Sequence, residues 1–169
     1  MGKIYTAMGL MSGTSLDGVD VSIIKSDGIS EISLIFDRYF EYNKELTQKI
    51  LNIRQKITNA EKITEHLDEI NDLERDITLF HIKAIKEVLE KSKYSVDLIG
   101  FHGQTIFHNP EKKITKQLGD GKLLSQLTKK KVIYNFRQND LENGGQGAPL
   151  TPIFHNVLAN KINKKFNLG

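Results

Sequence analysis

The spacing of apolar residues changes along this chain, and each change marks a different kind of element. Ile4 to Leu10 is a mainly apolar run that reads as a buried strand. Val19 to Ile24 reads as a second strand, Asp27-Gly28 as the turn after it, and residues 29–42 alternate well enough for a third. Three strands with short connections predict an antiparallel meander. The period then becomes helical, with Leu46, Ile50, Ile53 and Ile57 in the stretch Asn43 to Ile57. Thr58 and Glu61 fit a capping box. They would open one long helix whose stripe runs through Ile63, Leu67, Ile70, Leu73, Ile77, Phe80, Ala84 and Val88. Packing on the sheet explains that stripe more simply than a coiled-coil interface. His66 and His81, flanked by solvent-type residues, read as surface residues rather than ligands.

Beyond the helix, "VDLIGFHGQTIFH" from Val96 predicts a buried strand running into a polar loop. A Gly119-Asp120-Gly121 turn, a short helix and a strand over Val132 to Phe136 follow. The last third is a Gly- and Pro-marked loop opening into a helix. A meander followed by strand–helix alternation predicts an α/β fold, a mixed sheet with helices on its faces. This is the order of a ribonuclease-H-like domain, and several sugar kinases and actin-like ATPases pair two such domains around a nucleotide.

Composition narrows the class. At 169 residues the chain is long enough for one domain with a real core. Its 38% hydrophobic and 27% charged residues are ordinary for a soluble protein. A formal charge of +3 is too small to argue for nucleic acid, and the Lys129–Lys131 and Lys161–Lys165 runs read as solvated surface. The absence of cysteine excludes disulfides, Cys-based zinc sites and thiolate catalysis. The start "MGKIYTAMGLM" lacks a signal-peptide pattern, and no apolar run reaches the length of a membrane span. A cytoplasmic protein with no membrane partner is the expectation.

Four polar, Gly-containing stretches carry the candidate chemistry. Ser12-Gly13-Thr14-Ser15-Leu16-Asp17-Gly18 packs glycines, hydroxyls and a carboxylate into one short break between strands, more than a hairpin turn requires. Successive backbone N–H groups and the hydroxyls of Ser12, Thr14 and Ser15 would suit an anion. Asp17 or Asp20 would suit a Mg²⁺-bound water. No Gly-Lys-Ser/Thr ending is present, so this is not a Walker loop. A phosphate-binding loop and a decorated hairpin both fit the composition. "FHGQTIFH" sets His102, Gly103, Gln104 and Thr105 just after a strand, where open α/β sheets place ligands. "QLGDG" offers Asp120, and "FRQNDLENGGQGAPL" offers Arg137, Asp140 and Gln146. Such side chains suit sugar hydroxyls, an amide or a carboxylate. His102 and His108 do not share a helical face, which argues against a metal pair.

Taken together, "GLMSGTSLDGVD", "GFHGQTIFH", "QLGDG" and "NFRQNDLENGGQGAPLTPIFH" resemble the bacterial 1,6-anhydro-N-acetylmuramic acid kinases, in the order and spacing of that family. The resemblance implies a ribonuclease-H-like, actin/sugar-kinase-type fold. It implies an enzyme that uses ATP and Mg²⁺ to phosphorylate O6 of the anhydro-sugar while water opens the bridge at C1. The product would be N-acetylmuramic acid 6-phosphate, an intermediate of peptidoglycan recycling. Gly13, Thr14, Ser15, Leu16, Asp17, Gly18, Val19 and Asp20 match the family's ATP-binding segment, with Asp17 the weaker choice for Mg²⁺ through water. His102, Gln104, Asp120, Arg137 and Gln146 fall in motifs that resemble sugar-facing loops.

Family members are roughly twice this length. Asn167-Leu168-Gly169 resembles the opening of the family's next strand motif, and the Gly-Asp-Thr-Gly-Pro-Gly-type segment carrying the expected catalytic base is not in this sequence. The expectation is therefore an amino-terminal lobe without its second lobe, inactive alone. The carboxy-terminal half and a second copy of the chain are candidate partners. A non-catalytic sugar- or nucleotide-binding remnant of a split or decaying gene is the alternative.

Overall fold

The computed structural model describes residues 2–166. The elements run β1 (Tyr5–Ser12), β2 (Gly18–Ser26), β3 (Ile32–Glu41), α1 (Lys44–Lys56), α2 (Ala60–Glu65), α3 (Leu67–Ser92), β4 (Leu98–Asn109), β5 (Ile114–Leu118), α4 (Gly121–Thr128), β6 (Lys131–Ile133), α5 (Phe136–Glu142) and α6 (Pro152–Phe166). The sheet is mixed, in the order β3-β2-β1-β4-β5 with β6 also on β4. The β1–β2 and β2–β3 pairs are antiparallel, as the meander requires. β4 and β6 join parallel, β4 beside β1 and β6 beside β4. This is the α/β architecture with helix-flanked sheet that the element order implied.

Strand alternation decides which face is core. In β2, Val19, Val21 and Ile23 are buried while Asp20 and Lys25 are exposed. Met8 and Leu10 of β1 join them, and α1 and α3 contribute Ile50, Ile53, Ile70, Ile77 and Ile85 to the same apolar cluster. The α3 stripe is thus buried at Ile70, Leu73, Ile77, Ala84 and Val88, while Leu67 at its start is exposed. Asn43 caps α1 by accepting from the Leu46 amide at 2.8 Å.

Several expectations need correction. The long helix is two helices. The helix is interrupted at His66 (φ −108°, ψ 25°), which the apolar stripe cannot reveal because the stripe continues across it. The cap belongs to Asn59, which accepts from the Lys62 amide at 3.0 Å, and not to Thr58 with Glu61. Asparagine caps as well as threonine, and the frame shifts by one residue. The polar stretch after Phe101 is strand, not loop. β4 continues to Asn109 and turns at Pro110 into β5, an antiparallel partner absent from the sequence reading. Gly103 makes this possible with φ +72°, and a Cβ there would sit 2.4 Å from the Leu118 carbonyl oxygen. The Val132–Phe136 strand is shorter, because Asn135 turns left-handed (φ 60°) and Phe136 opens α5. The Asn167–Gly169 strand opening lies outside the described residues.

Candidate functional site

β1 and β4 lie side by side and parallel, with Ser12, the last residue of β1, paired to Gln104 of β4. Polar groups from separate loops therefore meet at one edge, the position that open α/β sheets use for ligands.

The loop between β1 and β2 is built around Leu16. Its side chain is buried although its backbone is left-handed (φ 61°), so apolar burial outweighs a local cost of about 1 kcal/mol. With Leu16 as the anchor, Thr14, Ser15 and Asp17 face solvent. Ser15 Oγ donates to Asp17 Oδ1 at 2.5 Å, and this bond holds the Asp17 carboxyl below its ordinary range. Asp17 is thus a preformed anion at the loop's rim. Arg54 of α1 donates to the Thr14 carbonyl at 3.0 Å, which brings a guanidinium to the same loop.

Beneath the loop the core turns polar. Ser12, 1% exposed, lies 2.9 Å from the Tyr42 hydroxyl and 3.1 Å from His81 Nε2. His81 is wholly buried, and its Nδ1 lies 2.8 Å from the Ile77 carbonyl oxygen. A carbonyl only accepts, so Nδ1 carries the proton and Nε2 accepts from Ser12. Burial pushes His81 down to about 4 and Tyr42 up to about 12, so both are neutral. The surface reading of His81 is therefore overturned. The signal was present, since His81 follows Ile77 by four residues and precedes Ile85 by four, on the apolar stripe.

Gln104 is fully buried and reaches the same loop. Its Nε2 donates to the Gly13 carbonyl at 2.8 Å, while its buried Oε1 has no partner among the described residues. Two residues earlier on β4, His102 faces a second cluster. Its Nδ1 donates to the Gly103 carbonyl at 2.6 Å and its Nε2 accepts from Arg137 Nε at 2.8 Å. Burial, with Arg137 adding to it, lowers His102 and keeps it neutral. Arg137 Nη1 also donates to the Gly147 carbonyl at 2.7 Å, and Asp140 Oδ2 accepts from the Gly147 amide at 2.8 Å. This frame borders an open depression of about 570 Å³ lined by His102, Phe136, Asn139, Asp140, Asn143 and Leu150. A wall that sets Phe136 and Leu150 beside four polar side chains suits a sugar ring.

The remaining candidates stand apart. Gln146 is exposed on the loop that Arg137 and Asp140 hold. Asp120 caps α4, its Oδ1 accepting from the Lys122 and Leu123 amides at 2.8 and 2.9 Å. It lines a different depression with Lys116, Gln117 and Tyr134. Sequence reading did not mark Phe136, Asn139 and Asn143. Their spacing along a short helix is legible only once α5 is assigned.

The family model for anhydro-N-acetylmuramic acid kinase matches residues 5–168. A kinase of that name from Pelagibacter ubique is 58% identical over 161 residues, covering 95% of this chain and 43% of the relative. The namesake from Agrobacterium fabrum is 43% identical, over 94% of this chain and 43% of its own length. One from Rhodopseudomonas palustris is 39% identical, over 98% and 46%. The chain thus spans less than half the length of these curated relatives. With the match running through the Ser12–Asp20 loop, the His102 strand and the Arg137 helix alike, this chain belongs to the anhydro-N-acetylmuramic acid kinase family.

Proposed function

We propose that this chain is one lobe of an ATP-dependent kinase acting on 1,6-anhydro-N-acetylmuramic acid. The reaction would transfer a phosphoryl group to O6, with water opening the anhydro bridge, and would yield N-acetylmuramic acid 6-phosphate for cell-wall recycling. One observation carries the reading: the Gly13–Asp17 loop leaves the end of β1 beside Gln104 of the parallel strand β4, two residues from His102 of the His102–Arg137 depression.

The residues fit the two ligands in different ways. Gly13, Thr14, Ser15 and Gly18 would meet the nucleotide phosphates through backbone N–H groups and hydroxyls, with Arg54 adding positive charge. Leu16 and Val19 are buried, so their part is to hold the backbone. Among the described residues, no group of three or more His, Asp or Glu side chains could hold a metal ion unaided. Mg²⁺ would therefore rest on phosphate oxygens and water, with Asp17 or Asp20 as outer partner. Bound there, it would neutralise charge developing on the phosphates. His102, Arg137 and Gln146 would face the sugar, His102 as a neutral imidazole fixed in one tautomer.

The chain spans 43% of the length of a relative 58% identical to it, which supports a general base supplied by the part of the family that it does not span, and hence a chain that binds without completing the reaction. Among the described residues, no helix is long and apolar enough to cross a membrane, which fits a cytoplasmic enzyme.

The test is phosphate transfer from labelled ATP to the anhydro-sugar, by the folded chain alone and after adding the rest of a family member as a separate polypeptide. Transfer only in the mixture is expected. Transfer by the chain alone would place a base within these residues and overturn the half-enzyme reading.

A further inference from the structure

Among the described residues, the fully buried polar side chains of the core are Ser12, Thr78, His81 and Gln104. Two of them stand on one face of α3 with half-buried Glu74, at spacings of four and three. Each of the three bonds a segment that carries candidate site residues, Glu74 and Thr78 through backbone amides and His81 through the Ser12 hydroxyl. Glu74 Oε1 accepts from the Gly119 amide at 3.2 Å and from Lys116 Nζ at 2.9 Å. Thr78 Oγ1 donates to the Glu74 carbonyl at 2.6 Å and accepts from the Asp120 amide at 2.9 Å. His81 Nε2 accepts from Ser12, the residue from which the Gly13–Asp17 loop starts.

We infer that this face of α3 is a polar ladder that fixes the Gly13–Asp17 loop and the Gly119–Asp120 turn at a set spacing, with Ser12, Thr78 and His81 as positioning residues. The ladder rests on the proposed nucleotide reading for its purpose, but not for its geometry. Burying an imidazole and three hydroxyls, Tyr42 included, carries a desolvation cost that an Ala, Val or Phe of similar volume avoids. The hydrogen bonds offset that cost only in one arrangement: Tyr42 to Ser12, Ser12 to His81, His81 to Ile77. A loop tied to such a chain has one position rather than several. Fixed donors lose nothing to reorganisation when phosphate charge develops. Neither Ser12 nor His81 touches ligand in this account; they act through the loop.

The test is site-resolved amide hydrogen exchange on the full chain carrying Ser12→Ala, Ser12→Thr or Thr78→Val. In Ser12→Ala, exchange at residues 13–16 rises about tenfold, the scale of one lost buried hydrogen bond, while β2 and β3 keep their protection. Ser12→Thr restores the loop, and Thr78→Val loosens residues 119–120 instead. Unchanged exchange at 13–16, or an equal rise throughout the sheet, overturns the ladder, because plain destabilisation moves all amides together. If Ser12→Ala does not fold, the imidazole nitrogen shifts of wild-type His81 decide, and a proton on Nε2 overturns the chain of bonds. MgATP titration of the same proteins adds a second reading. Affinity falling about tenfold in Ser12→Ala and returning in Ser12→Thr is expected, and equal affinity overturns the ladder. A wild-type chain that binds no nucleotide refutes the nucleotide reading, while the exchange result still decides the ladder.

Discussion

Ser12 Oγ lies 3.1 Å from His81 Nε2 inside the core, directly under the Gly13–Asp17 loop. The contact joins residues 69 positions apart and ties the end of β1 to the middle of α3. Because Nδ1 spends its proton on the Ile77 carbonyl, the imidazole is a pure acceptor toward Ser12. The contact therefore requires neutral His81.

That requirement predicts acid sensitivity with a defined sign. His81 is held at about 4 against an ordinary value of 6.5, so below pH 6.5 the unfolded chain takes up a proton that the folded chain refuses. Stability present at pH 7 should fall as pH drops from 6.5 towards 4, by on the order of 3 kcal/mol at most. His102 shifts in the same direction and adds to the slope. Asp27, held at about 2 by the Ile29, Glu31 and Ser30 amides, acts only in the lower window between its ordinary 3.8 and 2. Urea midpoints measured from pH 7.5 to 4.5 should show the loss, and His81→Gln should flatten it.

Leu16 sets packing against backbone strain. Replacing it with Gly relieves a left-handed leucine, worth about 1 kcal/mol, but removes a buried side chain whose loss costs about 2–5 kcal/mol. Leu16→Gly should therefore destabilise the fold by about 1–4 kcal/mol in chemical denaturation, and Leu16→Ala by more. A Leu16→Gly protein at least as stable as wild type would show that the buried leucine does not anchor the loop.

Arg137 bridges the His102 ring and the Gly147 carbonyl with two different nitrogens. An ammonium is a point donor and cannot span both. Arg137→Lys should keep the fold, raise amide exchange across residues 143–150, and weaken anhydro-sugar binding about tenfold. Isothermal titration with the sugar checks the last part.

Asp120 carries two candidate duties, capping α4 and facing the sugar, and Asp120→Asn separates them. Asparagine caps as well as aspartate, so stability should stay within about 0.5 kcal/mol. If the carboxylate meets sugar, affinity for the anhydro-sugar should drop; equal affinity leaves Asp120 with the cap alone.

Much of this was legible in the chain. The meander, the Asn43 start of α1 and the core stripe of α3 follow from alternation and spacing, because burial imposes those periods directly. Three of the four Gly-containing segments meet around the Ser12–Gln104 pair and the His102–Arg137 frame, while Gly119–Gly121 lines a separate depression. What escaped depends on contacts distant in sequence. His81 sits on the apolar stripe, yet a histidine there makes sense only once buried Ser12, 69 positions away, is seen to satisfy its Nε2. β5 has no strong alternation of its own and is a strand because Gly103 lets β4 run on and pair with it. Phe136, Asn139 and Asn143 form a wall only because Asn135 starts a helix where an apolar strand was expected.

The most direct test of the central claim is a residue-resolved NMR titration of the folded chain with MgATP. The account predicts amide shifts concentrated in Gly13–Asp20, with smaller effects at Gln104 through its bond to the Gly13 carbonyl. Shifts that leave Gly13–Asp20 unmoved at millimolar nucleotide would contradict the assignment of this loop to the nucleotide phosphates.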